Sequence, residues 1–414
     1  MNFELIDYFK RNISYFSNSS RSYFDSSSFT LVNDLVLDAF SDYYKAGGGR
    51  PTTGLYPGTS LASVTIENCR SALKNFFSVK DGEIVFPLNR SVGLLQILYS
   101  LSHDQSATFF VYTGLDHDTW LPVFQFAKQN SYPLVPLPVA TSLGELDSII
   151  QSSFKDNPVG SNILILPFTS LGNGLTVTPS FLRNLRSIPN TFIILDCSFA
   201  VGLSNIQFSE LPIDAAVFDS NIGLGGPIGS GILYIAETII QQIKPYVILG
   251  NGTITKVQTS NYSLDEIPQR LETAINPSVL AGLTKSLEIL QEISLPTIEA
   301  KVNTLTKHFF KLLEKNKDFF LVGPSEQQSY NNIIGFVVPP TNMHEIAMFL
   351  DEVHEIDIRS GSFCAHQLID QLYSKFNLEN SNLGILQLSF HYYNDLEDLE
   401  RLFTGIREFL NIFK

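Results

Sequence analysis

Several short stretches of this chain hold residue types that can do chemistry. Asp196 closes an apolar run, Phe192-Ile193-Ile194-Leu195-Asp196. An acid at the C-terminal end of a strand in an α/β sheet points into the crevice where ligands gather, although the same residue can cap a helix or pair across a loop. Arg359-Ser360-Gly361-Ser362-Phe363-Cys364 sets an arginine suited to a bidentate grip on a carboxylate beside a cysteine. A basic neighbour favours the thiolate and hence a nucleophile; the alternative is a structural arginine and an inert thiol. Asp116-His117 follows an apolar run and Gly114, where an imidazole can stack on a planar ligand or move protons, or simply face solvent. Asn89-Arg90-Ser91 lies between a strand and a helical run, where backbone N–H groups can receive an anion. Gly47-Gly48-Gly49-Arg50-Pro51 is a flexible loop and lacks the Gly-Lys-Ser/Thr of a phosphate loop.

The elements that must hold these residues follow from periodicity. Short apolar runs at Glu83–Pro87, Thr108–Thr113, Asn162–Pro167, Thr191–Asp196, Ala215–Phe218 and Gly231–Ile235 predict strands. Amphipathic stretches such as Leu143–Phe154 and Pro179–Ser187 predict helices between them. Strands alternating with helices give a mostly parallel sheet covered on both faces. After Pro277 the texture changes to α+β, with helices over Val279–Ile293, Thr297–Asn316, Met343–Val353 and Asp395–Phe413. Ile356–Arg359 reads as a strand, and the segments Asn331–Val338 and Gly384–Phe390 complete this α+β part. An amphipathic N-terminal run (Phe3, Leu5, Ile6, Phe9, Ile13) predicts a helix lying on another part of the protein. The expected organisation is a large α/β domain over residues 24–280 and a small α+β domain formed by 1–23 with 281–414.

Composition narrows the class. With 414 residues, 44% of them hydrophobic and 16% charged, the chain can bury a sizeable core. A net charge of −14 without a basic stripe argues against nucleic acid. The opening Met-Asn-Phe-Glu-Leu-Ile-Asp is not a secretory signal, and no apolar run is long enough to span a bilayer. Three cysteines, Cys69, Cys197 and Cys364, have neither metal-site spacing nor a disulfide pattern, so a cytoplasmic protein without a metal is expected.

Taken in order, these stretches resemble the class V aminotransferases among the fold type I pyridoxal phosphate (PLP) enzymes, in particular the cysteine desulfurase and selenocysteine lyase branch. The resemblance runs from Tyr23-Phe24-Asp25 to the last helix. Four stretches carry it: Ile194 to Gly202 (ILDCSFAVG), Gly226 to Tyr234 (GPIGSGILY), Arg270-Leu271-Glu272, and Arg359 to Cys364. The resemblance implies a large domain with a mostly parallel seven-stranded sheet and a smaller C-terminal domain. It implies that Asp196 pairs with the PLP ring nitrogen, that His117 stacks on the ring, and that Arg90 and Ser91 stand where the phosphate is received. Arg359 would grip the substrate carboxylate, and Cys364 would accept sulfur from the substrate.

The chain departs from that pattern around the cofactor. The family's Schiff-base lysine falls at Ile222 counting from Val217-Phe218, or at Gly223 counting back from Gly226-Pro227, and no lysine occurs between Lys155 and Lys244. Asp219 stands for a phosphate-holding serine, Phe199 for the glutamine facing the phenolic oxygen, and Leu171 for an asparagine. Neither Ile222 nor Gly223 can form an imine or move an α-proton. The expectation is a desulfurase-like protein that has lost covalent PLP catalysis and acts as a partner or regulator in sulfur metabolism, as a homodimer or as a heterodimer with an active relative. Two alternatives stand beside it. One is an enzyme that holds a small amino acid or carboxylate non-covalently through Arg359 and Cys364. The other is an active PLP enzyme with its lysine drawn from elsewhere.

Overall fold

The computed structural model describes residues 3–17, 19–51, 54–101, 106–156, 160–245, 254–272, 275–325, 330–379 and 383–413. Its main sheet has seven strands: β1 (Glu83–Val85), β2 (Thr108–Tyr112), β3 (Leu134–Leu137), β4 (Asn162–Pro167), β5 (Thr191–Asp196), β6 (Ala215–Asp219) and β7 (Gly231–Ile235). They lie in the order β1-β7-β6-β5-β4-β2-β3. β7 runs antiparallel to both of its neighbours, and the remaining pairs are parallel. Alternation along each strand feeds two cores. Phe109, Val111, Ile163 and Ile165 pack on one face, and Phe110, Tyr112, Leu164 and Leu166 on the other.

β3 was not among the strands expected from the sequence. Its Leu-Val-Pro-Leu run contains Pro136, which cannot donate to a ladder, and the strand sits at the sheet edge, half-exposed, where that loss is tolerated. The other main-sheet strands end within a few residues of their predicted bounds.

A second sheet of four antiparallel strands has the order β8 (Phe320–Leu321), β9 (Ile333–Val337), β11 (Ile385–Ser389), β10 (Arg359–Gly361). The expected single strand over Ile356–Arg359 is divided. Ile356–Asp357 pairs in parallel with Ser22–Tyr23, whereas Arg359–Gly361 pairs with β11. The N-terminal helix Phe3–Arg11 buries Ile6 and Phe9, and Lys10 forms an ion pair with Asp395. The predicted N-terminal helix therefore does lie on another part of the protein.

One consequence of the topology positions the site. β1, β2, β4, β5 and β6 all end at the same edge of the main sheet, and β7 begins there. The residues just past those ends are Asn89-Arg90, Asp116-His117, Cys197-Ser198-Phe199 and the segment from Ser220, which the fold brings together. No described helix is long and apolar enough to cross a membrane.

Candidate functional site

Arg90 stands at the centre of this edge. It opens the helix Arg90–Leu101 soon after β1, and the residue is only 2% exposed. The turn that delivers it lies flat on the start of β7. A Cβ at Gly231 would stand 2.3 Å from the Asn89 carbonyl carbon, so only glycine permits that approach. The guanidinium meets four carboxylates. Nη2 lies 2.5 Å from Asp116 Oδ2 and 3.2 Å from Asp118 Oδ2, Nη1 lies 3.2 Å from Asp196 Oδ2, and Nε lies 3.3 Å from Asp219 Oδ2. Nη1 also donates to Ser198 Oγ at 2.9 Å, and the Arg90 backbone N–H donates to Asp219 Oδ1 at 2.9 Å. The Phe199 ring lies 5.7 Å from the guanidinium carbon, a cation–π contact.

The acids are held from behind. Asp196, at the end of β5 and 1% exposed, accepts from Thr119 Oγ1 through Oδ2 and from the Ser198 N–H at 2.9 Å through Oδ1. Asp116 precedes the helix His117–Gln129 at the capping position, yet its carboxylate makes no cap bond and turns to Arg90 instead. Its Oδ1 is buried without a hydrogen-bond partner. Burial pushes the Asp116 carboxyl up, opposed by Arg90 and reinforced by Asp196. Burial likewise lifts Asp219 to about 6 against the pull of Arg90. For Arg90 burial disfavours the charge, but Asp196, Asp116 and Asp219 outweigh it and hold the guanidinium protonated.

The segment after β6 carries no amine. Ile222 is a buried aliphatic side chain, 9% exposed. Gly223 has φ 68°, and a Cβ there would lie 2.1 Å from the Val201 carbonyl oxygen. Its N–H donates to Thr30 Oγ1 and its carbonyl accepts from His391 Nε2, both at 2.8 Å. His391 is fully buried, which lowers its pKa to about 4 despite the bond to Gly223. It is therefore neutral, with the proton on Nε2. Ser286 Oγ closes the far side on the Leu224 carbonyl.

The other sequence-predicted residues lie as follows. His117 stacks on His366, with ring centroids 5.7 Å apart, and the two line a cavity of about 240 Å³ together with Trp120 and Gln367. Ser91 Oγ donates to the Asp118 carbonyl. Arg90, expected to receive an anion, is surrounded by carboxylates instead. Arg359, on β10, lies 4.8 Å over the Phe363 ring, with Asp25 within electrostatic reach. Cys364 is exposed, while Cys69 and Cys197 are buried. Among the described residues no group of three His, Cys, Asp or Glu is arranged to hold a metal ion.

Two buried residues escaped the sequence reading. Asp116 was noted only as the neighbour of His117. Gln387, on β11, accepts from Ser27 Oγ at 2.7 Å and donates to the Leu171 carbonyl. The available signal was a lone amide inside the apolar run Ile385-Leu386-Gln387-Leu388.

The model of the class-V aminotransferase family matches residues 22–402, nearly the whole chain. The chain belongs to this family. Members are PLP-dependent enzymes, and the relatives cluster in one branch. A probable cysteine desulfurase of Pyrococcus abyssi is 27% identical over 389 residues, covering 93% of each chain. A cysteine desulfurase of Escherichia coli is 24% identical over 398 residues, covering 93% of this chain and 92% of its own. Among solved structures, the apo cysteine desulfurase of Thermococcus onnurineus superposes with a TM-score of 0.86 at 24% identity over 98% of both chains. The class-V fold, with its seven-stranded sheet, is thus the fold of this chain.

Proposed function

We propose that this chain is a class-V family member that has given up covalent PLP catalysis and serves as a non-catalytic partner or regulator in sulfur metabolism. The observation that carries the reading is the segment after β6. Catalysis of the family's kind needs an amine that forms an imine and moves a proton, and Ile222 and Gly223 offer neither. Gly223 is held by Thr30 and His391 in a left-handed conformation with no space for a side chain. Nor does a lysine approach from elsewhere among the described ion pairs. Lys10 and Lys301 pair with Asp395, Lys74 with Glu83 and Lys375 with Glu145, and none pairs with Asp116, Asp118, Asp196 or Asp219.

A partner role needs a surface. Tyr44, Leu55, Tyr56 and Val64 stand exposed on the helices Asp34–Lys45 and Pro57–Phe76 and the stretch between them, and Ile228 is 68% exposed on the loop that follows Gly223. The reading assigns this face to a second copy of the chain or to an active relative. The link to sulfur metabolism rests on the relatives, several of which are cysteine desulfurases.

The test is direct. The purified protein incubated with PLP and reduced with borohydride should retain no stoichiometric pyridoxyl label on any one lysine, and it should release no sulfide from cysteine. A label at a single lysine together with turnover would overturn the reading. Size-exclusion chromatography should show a dimer, or co-elution with an active desulfurase. A strict monomer would remove the partner role. The alternative in which Cys364 takes sulfur without PLP predicts a persulfide on that residue after incubation with cysteine persulfide, whose outer sulfur would pass to the Cys364 thiolate as cysteine thiolate leaves, visible by mass spectrometry.

A further inference from the structure

The resemblance assigns a distinct role around PLP to each of Asp196, the position of Asp219, the position of Phe199 and the Asn89-Arg90-Ser91 turn. In this chain one side chain touches all of them. Arg90 bonds Asp196 and Asp219, lies against Phe199 and belongs to the turn itself. The heart of the set is closed to solvent, with Arg90, Asp196, Ser198 and Phe199 at most 3% exposed, while Asp118 at its rim has a side chain 73% exposed. A pyridine ring that reached Asp196 would have to displace the guanidinium. A phosphate at Asp219 would meet a carboxylate, not a hydroxyl. The residues present do not fit PLP.

We propose that Arg90 is the built-in occupant of the place the family gives to its cofactor. The vacated site has become an internal guanidinium site of three largely buried aspartates, with the exposed Asp118 at its rim. Charge and geometry both favour this ligand class. A planar fork with five N–H donors satisfies several carboxylates at once, whereas an ammonium offers a single point charge. Asp116 supplies the second observation: it is 8% exposed, its Oδ2 is bonded to Arg90, and its Oδ1 is left without a partner. Arg90 Nε is likewise buried without a hydrogen-bond partner, so the excess is one of charge, three largely buried carboxylates to one guanidinium, and not a shortage of donors. The inference rests on the reading that covalent PLP chemistry is gone, but it can fail separately.

The decisive ligand is pyridoxamine 5′-phosphate, which cannot form an imine with any surface lysine. It would be titrated into the full-length chain and read by quenching of Trp120, the only tryptophan. No saturable quenching is expected from the wild type. Saturable binding to the wild type would overturn the internal-occupant proposal while leaving the missing-lysine reading intact. Arg90→Ala should melt lower by roughly 5 °C or more. Millimolar guanidinium chloride should raise its melting temperature relative to sodium chloride at the same ionic strength, with no such rise in the wild type. Absence of that difference would also overturn the proposal. If Arg90→Ala does not accumulate, Arg90→Lys decides. It keeps the charge but cannot bridge four carboxylates, so it should melt well below the wild type. Equal melting would sink the proposal.

Discussion

Two buried arginines beside the main sheet solve the same problem differently. Arg70 lies on the helix Pro57–Phe76 and meets Glu272 in a two-pronged pair, Nη1 to Oε1 at 2.7 Å and Nη2 to Oε2 at 3.1 Å. Its remaining donors reach the Ile84 carbonyl and Glu67, and Glu272 also accepts the Phe86 N–H at 3.0 Å. Donors and acceptors balance there, with one buried acid per buried base. Arg90 faces Asp116, Asp118, Asp196 and Asp219, and acid is in surplus. A buried pair made for structure has little reason to carry spare charge, because each uncompensated carboxylate adds a desolvation cost. A surplus is what remains when an arginine moves into a site built for another ligand. The comparison separates a structural ion pair from a remodelled site by counting charges.

The comparison breaks or holds on acid-to-amide changes made alike in both clusters. Glu272→Gln should cost about 3 kcal/mol, because Arg70 would keep its buried charge with only the half-exposed Glu67 to answer it. Asp116→Asn should fall within about 0.5 kcal/mol of the wild type, or stabilise, since three carboxylates would still surround Arg90. Urea unfolding at pH 7.5 gives both numbers. If Asp116→Asn were as costly as Glu272→Gln, the surplus would be fictional.

Acidity sharpens the same contrast. Burial lifts Asp219 from the usual carboxylate range to about 6. A carboxyl whose folded pKa lies above its unfolded value stabilises the protein while protonated, and that contribution is lost as pH rises through the folded pKa. Wild-type stability should therefore decline between about pH 4 and pH 6 from this source. Asp219→Asn, which can still accept the Arg90 backbone N–H, should flatten the decline and gain on the wild type as pH rises. A mutant that loses ground with rising pH would show that Arg90 more than compensates Asp219.

Much of this contrast was legible in the sequence, and the remainder shows where a linear reading stops. Alternating apolar runs placed β4, β5 and β7 at their observed ends, because strands buried on both faces must be continuously apolar. That positions 222 and 223 hold isoleucine and glycine and no amine was visible directly. The role of Arg90 was not, because its partners at 116, 118, 196 and 219 meet only through parallel strand ends that periodicity cannot order. The turn geometry invited an anion from outside, and only the three-dimensional arrangement shows Arg90 already met by the chain's own carboxylates. Asp116 was hidden for a related reason. A residue of capping type just before a helix reads as a cap, and nothing local reveals that its carboxylate is drawn away. β3 was obscured by Pro136, which is tolerated only because the strand is at an edge, a fact of topology.

The smallest expected effect belongs to Asp118, and it tests whether the surplus is a matter of burial or of number. Its carboxylate lies 3.2 Å from Arg90 Nη2, but its side chain is 73% exposed, in contrast to 1% for Asp196. Water and salt screen an exposed pair, so Asp118→Asn should change stability by no more than about 0.5 kcal/mol and less at high salt. Asp196→Asn removes a fully buried charge that also holds Thr119 and the Ser198 N–H, so its effect should exceed that of Asp118→Asn and persist in salt. Measured side by side in low and high sodium chloride, the two substitutions separate in how far salt changes their effect, since salt screens an exposed charge and not a buried one. An equal response would mean that the guanidinium counts its neighbours without regard to depth, and Arg90 would then resemble a surface arginine more than the occupant of an enclosed site.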